Sequence, residues 1–116
     1  MTIKTITPKE LEERLRGDNQ TYLLDVRSEE KYNDFHIEAP RIKSFNIPKT
    51  TIFELEEKRD EEVASLPKNN EIVVTCTTGN SAKKCATILS EKNYNVTLLE
   101  GGITAWKEYL DSQKRN

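Results

Sequence analysis

One of the two cysteines in this 116-residue sequence stands where a thiol can be activated. Cys76 directly follows the β-branched run Ile72–Thr75 and precedes the polar segment Thr77-Thr78-Gly79-Asn80-Ser81, which leads into a helical pattern. A strand-to-helix turn of this kind points backbone N–H groups inward, and its glycine supplies conformational freedom. These amides and the helix dipole would favour a thiolate and hold an anion beside it. The pattern therefore predicts a nucleophilic cysteine in an amide-lined loop.

Four charged residues are assigned supporting roles around this loop. Lys83 and Lys84 lie in the first turns of the predicted helix, where they would add positive potential at the mouth of the loop. Asp25 and Arg27 stand at the end of another apolar run, and we interpret them as an ion pair that braces the site rather than as catalytic groups. The alternative for Cys76 itself is a small buried hydrophobe at a strand end.

Two other residues capable of chemistry are interpreted as structural. His36 is the only histidine, and its neighbours Phe35 and Ile37 favour a satisfied structural side chain over a general base. Cys85 falls on the apolar face of the predicted helix, so we expect a buried thiol rather than a resolving one. Two separated cysteines and one distant histidine form no recognisable zinc spacing. The sequence therefore predicts no metal and no cofactor.

Composition limits the classes of protein that the chain can represent. Its length suffices for one domain over residues 1–116, with a core over about residues 5–110 and a short polar tail at 113–116. Only 34% of the residues are hydrophobic and 33% are charged, so the core must come from a few short apolar runs. A net charge of −2 with intermixed signs predicts no nucleic-acid partner and no attraction to anionic lipid.

The compartment is also predicted from the sequence. Every apolar run is far shorter than the roughly 20 residues of a membrane span, so no membrane partner is expected. The first residues, Met1–Ile6, lack the apolar block of a secretory signal. We therefore expect a cytoplasmic protein. Because that compartment keeps thiols reduced, the two cysteines are expected to be free thiols rather than a disulfide.

Apolar runs and helical patterns alternate along the chain and predict the elements that position these residues. Four runs read as strands, of which the third is expected to be central: Tyr22–Val26, Ser44–Ile47, Glu71–Thr75 and Val96–Leu99. Such an alternation implies an α/β domain whose parallel strands are joined by right-handed crossovers. Loops at the carboxyl ends of the strands should then build the site.

Helix boundaries are predicted from capping signals. Capping boxes at Thr7 and Glu10 and at Thr51 and Glu54 indicate two helix starts, and Ser28 can cap a brief helix. Further helices are expected at 81–92 and 103–110, the latter anchored by a tryptophan in the core. The charged segment 52–66 is interpreted as an exposed, interrupted helix of unassigned role, and 113–116 as a frayed end.

Three motifs in this order resemble the rhodanese family. The family's active loop is a six-residue turn opened by the catalytic cysteine, and Cys76-Thr77-Thr78-Gly79-Asn80-Ser81 has that layout. A second motif is Leu23-Leu24-Asp25-Val26-Arg27, with Glu30-Lys31-Tyr32 and His36-Ile37 downstream. The third is Leu99-Glu100-Gly101-Gly102-Ile103-Thr104-Ala105-Trp106. The resemblance implies a rhodanese-like α/β fold with a central, mostly parallel sheet of about five strands flanked by helices on both faces.

The resemblance also implies a function. A family member of this kind is a sulfurtransferase that moves sulfane sulfur from thiosulfate or a low-molecular-weight persulfide through a Cys76 persulfide to a thiol, cyanide or an acceptor protein. A non-catalytic or relay module that receives sulfur from a partner or docks one is the alternative. A cysteine phosphatase or arsenate reductase is disfavoured, because Ala82 stands where such a loop needs arginine. A monomer or weak homodimer is expected.

The active loop departs from the family pattern in its charge. Many members carry arginine directly after the cysteine or near the loop end, where this chain has Thr77 and Ser81. With only backbone amides and the more distant Lys83 and Lys84 to neutralise a dianion, we expect thiosulfate to be a poorer donor than a thiol persulfide.

Overall fold

A five-stranded parallel sheet forms the centre of the computed structural model, which describes residues 3–58 and 61–114. The strand order is β1-β5-β4-β2-β3. The strands are β1 (Lys4–Ile6), β2 (Thr21–Asp25), β3 (Ile42–Asn46), β4 (Ile72–Thr75) and β5 (Val96–Leu99). The helices are α1 (Pro8–Leu15), α2 (Glu29–Asp34), α3 (Lys49–Glu54), α4 (Asn80–Glu91) and α5 (Gly102–Lys114), and a 3-10 turn (Leu55–Glu57) follows α3.

Strand β4 lies in the middle of the sheet, as its β-branched sequence predicts. All four of its residues are buried, because parallel neighbours flank it on both edges and helices cover both faces. Val74 pairs with Leu24 of β2 and with Leu98 of β5. Since all five strands are parallel, their carboxyl ends meet at one edge of the sheet, and that edge carries Cys76.

The core divides into two layers, one on each face of the sheet. Leu24 and Val74 pack with the apolar residues of α3 and α4 on one face. The adjacent residues Leu23 and Val73 point the opposite way, against α1 and α5. Each fully buried leucine contributes about 1.5–3 kcal/mol to the stability of the fold. The expected α/β fold, with helices on both faces of a parallel sheet, is confirmed.

Two strand predictions needed correction. Strand β1 has no counterpart among the four apolar runs, because it is three residues long and only Ile6 is buried. It pairs with β5 alone at the edge of the sheet, and it brings the strands to five. Strand β3 begins at Ile42, two residues before the predicted start, because its pairing with β2 extends back to Thr21.

The capping box predicted at Thr51 and Glu54 is wrong. Helix α3 begins at Lys49 with Pro48 at its N-cap, and no side chain caps it. The backbone of Lys49 instead donates to the carbonyl of Val26 at 2.9 Å, which ties the helix start to the end of β2. The box at Thr7 and Glu10 is confirmed, with both reciprocal hydrogen bonds present.

The segment 52–66 is interrupted, as expected, but its second half is not helical. Residues 61–66 form a single hydrogen-bonded turn, from Leu66 N–H to the Val63 carbonyl, and no helix. Residues 59 and 60 lie outside the described part of the chain. The Tyr94 hydroxyl bonds both the N–H of Val63, at 3.2 Å, and its carbonyl, at 3.0 Å. At the carboxyl end α5 continues to Lys114, so the described part of the predicted frayed tail is helical, and Arg115 and Asn116 lie outside the description.

None of the helices in the described ranges has the length and apolar character needed to cross a membrane.

Candidate active site

Cys76 lies at the carboxyl end of β4 with its side chain directed at backbone N–H groups. Its Sγ accepts hydrogen bonds from Gly79 N, at 3.0 Å, and from Ala82 N, at 3.3 Å. Gly79 has φ +105°, a left-handed conformation that favours glycine, and Ala82 belongs to the first turn of α4. Both donors and the positive end of the α4 dipole therefore face the sulfur and stabilise negative charge there. Cys76 is only 6% exposed.

The amino end of α5 holds the same loop from behind. The amide of Ile103 donates to the carbonyl of Cys76 at 2.8 Å, and that of Thr104 donates to the carbonyl of Thr77 at 3.0 Å. These two bonds satisfy two carbonyl groups of the loop. They also satisfy two N–H groups at the start of α5 that have no acceptor within the helix. Gly102, with φ +61°, allows the close approach. The third sequence motif thus contacts the active loop, a role that its sequence did not indicate.

Asp25 and Arg27 form a buried ion pair beside the loop. Their side chains are 1% and 7% exposed, and the Arg27 Nη2 to Asp25 Oδ2 distance is 2.6 Å. Arg27 Nη2 also donates to the Phe35 carbonyl at 2.5 Å. Asn46, which the sequence analysis did not single out, donates to the carbonyls of Asp25 and Arg27 at 3.1 and 3.0 Å. The ion pair thus links the end of β2 to the residue after α2, and Asn46 links the end of β2 to β3.

A cleft of about 550 Å³ opens beside Cys76. One wall is the active loop, and the others are the turns that follow β2 and β3. Its lining residues are Val26, Arg27, Ser28, Lys31, Pro48, Lys49, Thr50, Cys76, Thr77, Thr78 and Ser81. Three of them are cationic and none is acidic, so the cleft favours anions.

Lys31 and Lys49 are the site residues that the sequence analysis missed. Lys49 opens α3, with two residues between it and the end of β3, and its Nζ lies 3.5 Å from Ser81 Oγ of the active loop. Lys31 lies in α2, which follows β2. A usable signal existed, because residues that follow parallel strands gather at one edge of the sheet. Applying that rule to the turns after β2 and β3 would have identified both lysines.

The structure separates the remaining predicted site residues. Thr77, Thr78 and Ser81 line the cleft, and Gly79 supplies an N–H group to Sγ. Asn80 opens α4 and is exposed outside the cleft lining. Lys83, which was expected at the mouth of the loop, is also exposed and outside that lining. The reason is that α4 buries the opposite face of the helix against the core, so the Lys83 side of the helix is left to solvent. Its neighbour Lys84 is directed away, with Nζ 4.4 Å from the centre of the Phe53 ring.

His36 and Cys85 lie outside the cleft lining and contact other parts of the fold. The His36 ring stacks on Tyr32 at 3.9 Å, and its two nitrogens contact the Tyr32 carbonyl and the Glu38 carboxylate, both at 2.8 Å. Cys85 is fully buried in the layer under α4, and burial raises the pKa of its thiol to about 12. Within residues 3–58 and 61–114, no group of three or more His, Cys, Asp or Glu side chains is arranged to hold a metal ion.

Comparisons with known proteins identify the family to which the chain belongs. Residues 7–109 match the family model of the rhodanese-like domain. The Bacillus subtilis protein named "Putative sulfurtransferase YtwF" is 30% identical over 92% of this chain and 93% of its own length. The Mycobacterium tuberculosis protein named "Probable adenylyltransferase/sulfurtransferase MoeZ" is 32% identical over 91% of this chain, which corresponds to 25% of that protein.

Solved structures that resemble this chain also include rhodanese-like proteins. A rhodanese-like domain protein from Staphylococcus aureus superimposes with a TM-score of 0.75 at 27% identity, covering 90% of this chain and 91% of that one. A rhodanese-related protein from Thermoplasma volcanium gives 0.69 at 30% identity, with coverages of 91% and 92%. With the family model spanning residues 7–109 and the relative named "Putative sulfurtransferase YtwF" matched over 93% of its own length, this chain belongs to the rhodanese-like domain family and is a rhodanese-type sulfurtransferase.

Proposed function

We propose that this sulfurtransferase carries the transferred sulfur as a persulfide on Cys76. The observation that supports this role is the pair of backbone N–H groups, from Gly79 and Ala82, that point at Sγ. A thiolate is the nucleophilic form of cysteine, and an anionic persulfide also needs stabilisation by hydrogen-bond donors. The loop can therefore stabilise both the thiolate that attacks the donor and the persulfide that results. Cys85 lacks such donors among the described hydrogen bonds, and its raised pKa keeps it a thiol at neutral pH.

The first half of the proposed reaction loads Cys76. The thiolate attacks the outer sulfur of thiosulfate, a new S–S bond forms, and the old bond breaks so that its electron pair leaves with sulfite. A low-molecular-weight persulfide reacts in the same way and releases a thiolate. In both cases the enzyme becomes an anionic persulfide, and the total charge is unchanged.

The second half unloads the sulfur. A thiolate or cyanide attacks the outer persulfide sulfur, and the electron pair of the broken bond returns to Cys76 as the thiolate. The acceptor is then a small thiol or a protein partner. In MoeZ the segment that matches this chain is one quarter of a longer protein, whose name combines adenylyltransferase and sulfurtransferase. Because that protein joins the two activities in one chain, we include a protein among the acceptors proposed for this chain. Both described cysteines are free, which agrees with a reducing compartment, so we retain the cytoplasm as the proposed location.

Phosphatase or arsenate reductase chemistry is a poorer fit to the loop. Those reactions need a guanidinium that clamps a tetrahedral oxyanion with two hydrogen bonds. The position that would supply it holds Ala82, whose side chain is buried and uncharged. The one guanidinium among the described residues of the cleft lining, that of Arg27, is already engaged by Asp25 and by the Phe35 carbonyl.

Mass spectrometry of the unreduced protein tests the proposal. After exposure to thiosulfate or a thiol persulfide, we expect a mass gain of one sulfur atom that maps to Cys76. Cys76→Ser should abolish both the mass gain and turnover with cyanide. Cys85→Ser is the matched control, and it should retain both once its folding is verified. Sulfur on Cys85, or full activity in Cys76→Ser, would show that the assignment is wrong.

A further inference from the structure

We propose that Lys31 and Lys49 select the sulfur donor by its charge, favouring donors whose leaving group is a dianion such as sulfite. This inference rests on the proposed role of Cys76 as the sulfur carrier. It assigns the anion-binding function to the wall that faces the active loop rather than to the loop itself.

Two of the three cationic side chains in the cleft lining have no ion-pair partner within the described ranges. Of its three cationic lining residues, Arg27 is paired with the buried Asp25 carboxylate. Lys31 and Lys49 form no ion pair with any residue in the described ranges. The cleft lining contains no acidic side chain. A concave site with unpaired charge of one sign attracts ligands of the other sign.

The position of Lys49 places one of these charges next to the loop. Its backbone N–H is held by the Val26 carbonyl at 2.9 Å, so the residue is anchored at the end of β2. Its side chain reaches across the cleft to within 3.5 Å of Ser81 Oγ. Lys31 lies on the same side of the cleft, in the helix that follows β2. Both lysines therefore come from the segments after β2 and β3 rather than from the active loop, and the Lys49 ammonium lies next to Ser81 of that loop.

This division suits a donor with two chemically distinct ends. The transferred sulfur must reach the amides at Cys76, and the rest of the donor then lies in the cleft. When the S–S bond breaks, its electron pair moves onto the leaving group, which becomes more negative. Ammonium groups beside that leaving group stabilise the transition state more than the bound donor, so they affect kcat as well as KM.

The inference reverses the expectation drawn from the loop sequence. Without arginine at Thr77 or Ser81, thiosulfate was expected to lack a cationic partner. That expectation assigned the remaining positive potential to Lys83 and Lys84, which lie outside the cleft lining. Lys31 and Lys49, from two other strand ends, replace them as candidates.

Two donors that differ by one charge test the proposal. Thiosulfate carries two negative charges, and methanethiosulfonate has a methyl group in place of one anionic oxygen. We expect Lys31→Gln and Lys49→Gln each to lower kcat/KM for thiosulfate about three- to tenfold, since a charge-assisted hydrogen bond in a solvent-open cleft retains only part of its full strength. The loss for methanethiosulfonate should be smaller. The exposed Lys43→Gln, on β3 and outside the cleft lining, removes the same charge and should leave both values unchanged.

A second measurement does not depend on sulfur transfer. Iodoacetate and iodoacetamide alkylate a thiolate by the same displacement, but only iodoacetate is anionic. The ratio of their rates at Cys76 therefore reports the potential in the cleft, and it should fall about threefold or more in the double variant Lys31→Gln/Lys49→Gln. If Cys76→Ser retained turnover, the proposed carrier would be wrong while this ratio still tested the lysines.

Specific results would overturn the charge-selection proposal. If kcat/KM fell equally for thiosulfate and methanethiosulfonate, the lysines would stabilise the fold or the thiolate rather than recognise the charge of the donor. An unchanged alkylation ratio in the double variant would exclude an effect on anions. A lower kcat/KM for thiosulfate in Lys83→Gln, with no change in Lys31→Gln or Lys49→Gln, would show that α4 and not the cleft lysines binds the anion.

Discussion

Gly102 lies so close to Cys76 that a methyl group on its Cα would be 2.4 Å from the Cys76 carbonyl oxygen. The same methyl group would be 2.8 Å from the carbonyl carbon and oxygen of Thr77. This approach lets the amides of Ile103 and Thr104 bind those two carbonyls. The start of α5 therefore sets the conformation of a loop that is some 25 residues earlier in the chain.

Gly102→Ala should consequently damage both the fold and the site. Alanine is strained at φ +61°, and the atoms that it would meet are backbone atoms that cannot move aside without displacing the loop. We expect the free energy of unfolding to fall by about 2–4 kcal/mol. Sulfur transfer should fall at least tenfold at a temperature where the variant remains folded. Urea unfolding and steady-state kinetics measure the two effects.

Gly17→Ala provides the control for that substitution. Gly17 is exposed beyond the end of α1, and an added methyl group there would make only one tight contact, 3.3 Å from the Arg14 carbonyl oxygen. We expect a change in stability within about 1 kcal/mol and unaltered turnover. If Gly102→Ala behaved like this control, the α5 contact would not determine the geometry of the loop.

Breaking the Asp25 and Arg27 pair should be costly, because both side chains are buried. Arg27→Met leaves the Asp25 carboxylate without its bidentate partner, and we expect a loss of about 3–5 kcal/mol in the free energy of unfolding. Adding Asp25→Asn to that variant removes the uncompensated charge and should recover part of the loss. Denaturant unfolding of the two single variants and the double variant gives the coupling energy. Strictly additive losses would contradict a direct pairwise interaction.

The two cysteines should differ sharply in reactivity. Burial raises the pKa of Cys85 to about 12, and the residue is inaccessible in the folded protein. At pH 8, iodoacetamide should therefore label Cys76 and leave Cys85 unmodified, with labelling of Cys85 only after unfolding. Peptide mapping of the native and the urea-unfolded protein checks this. Comparable labelling of both thiols in the native protein would contradict the buried position of Cys85.

Glu71 should stabilise the fold in a pH-dependent manner. Burial alone would raise the pKa of this carboxyl, but hydrogen bonds from Thr97 and Arg14 and the charges of Arg14 and Lys4 lower it below its usual value of 4.5. A carboxyl with a lowered pKa in the folded state stabilises the protein above its unfolded pKa, and the contribution is lost as the pH falls through the folded value. The partly exposed network limits the effect to about 1 kcal/mol.

The comparison of wild type with Glu71→Gln isolates that contribution. We expect the wild type to be more stable at pH 7 and the difference to shrink steadily below about pH 4.5. Thermal or denaturant unfolding at a series of pH values measures it. A difference that does not change between pH 7 and pH 3 would show that the carboxylate charge does not contribute.

Sequence signals were sufficient where the interacting residues are neighbours along the chain. The loop from Cys76 to Ser81 is read directly, because a buried strand, a glycine turn and a helix follow one another without interruption. The capping box at Thr7 and the apolar face of α4 are local for the same reason. The burial of β4 also follows from its own β-branched residues.

Tertiary structure decided which distant residues face the loop. Lys31, Lys49 and Gly102 come from three different segments, and the parallel strands bring them to one edge of the sheet. The order of strands and helices indicates which turns meet at this edge, but the direction of each side chain depends on how its helix packs. Lys83 is the converse case. It is close to Cys76 in sequence, but it points to solvent because α4 buries its opposite face against the sheet.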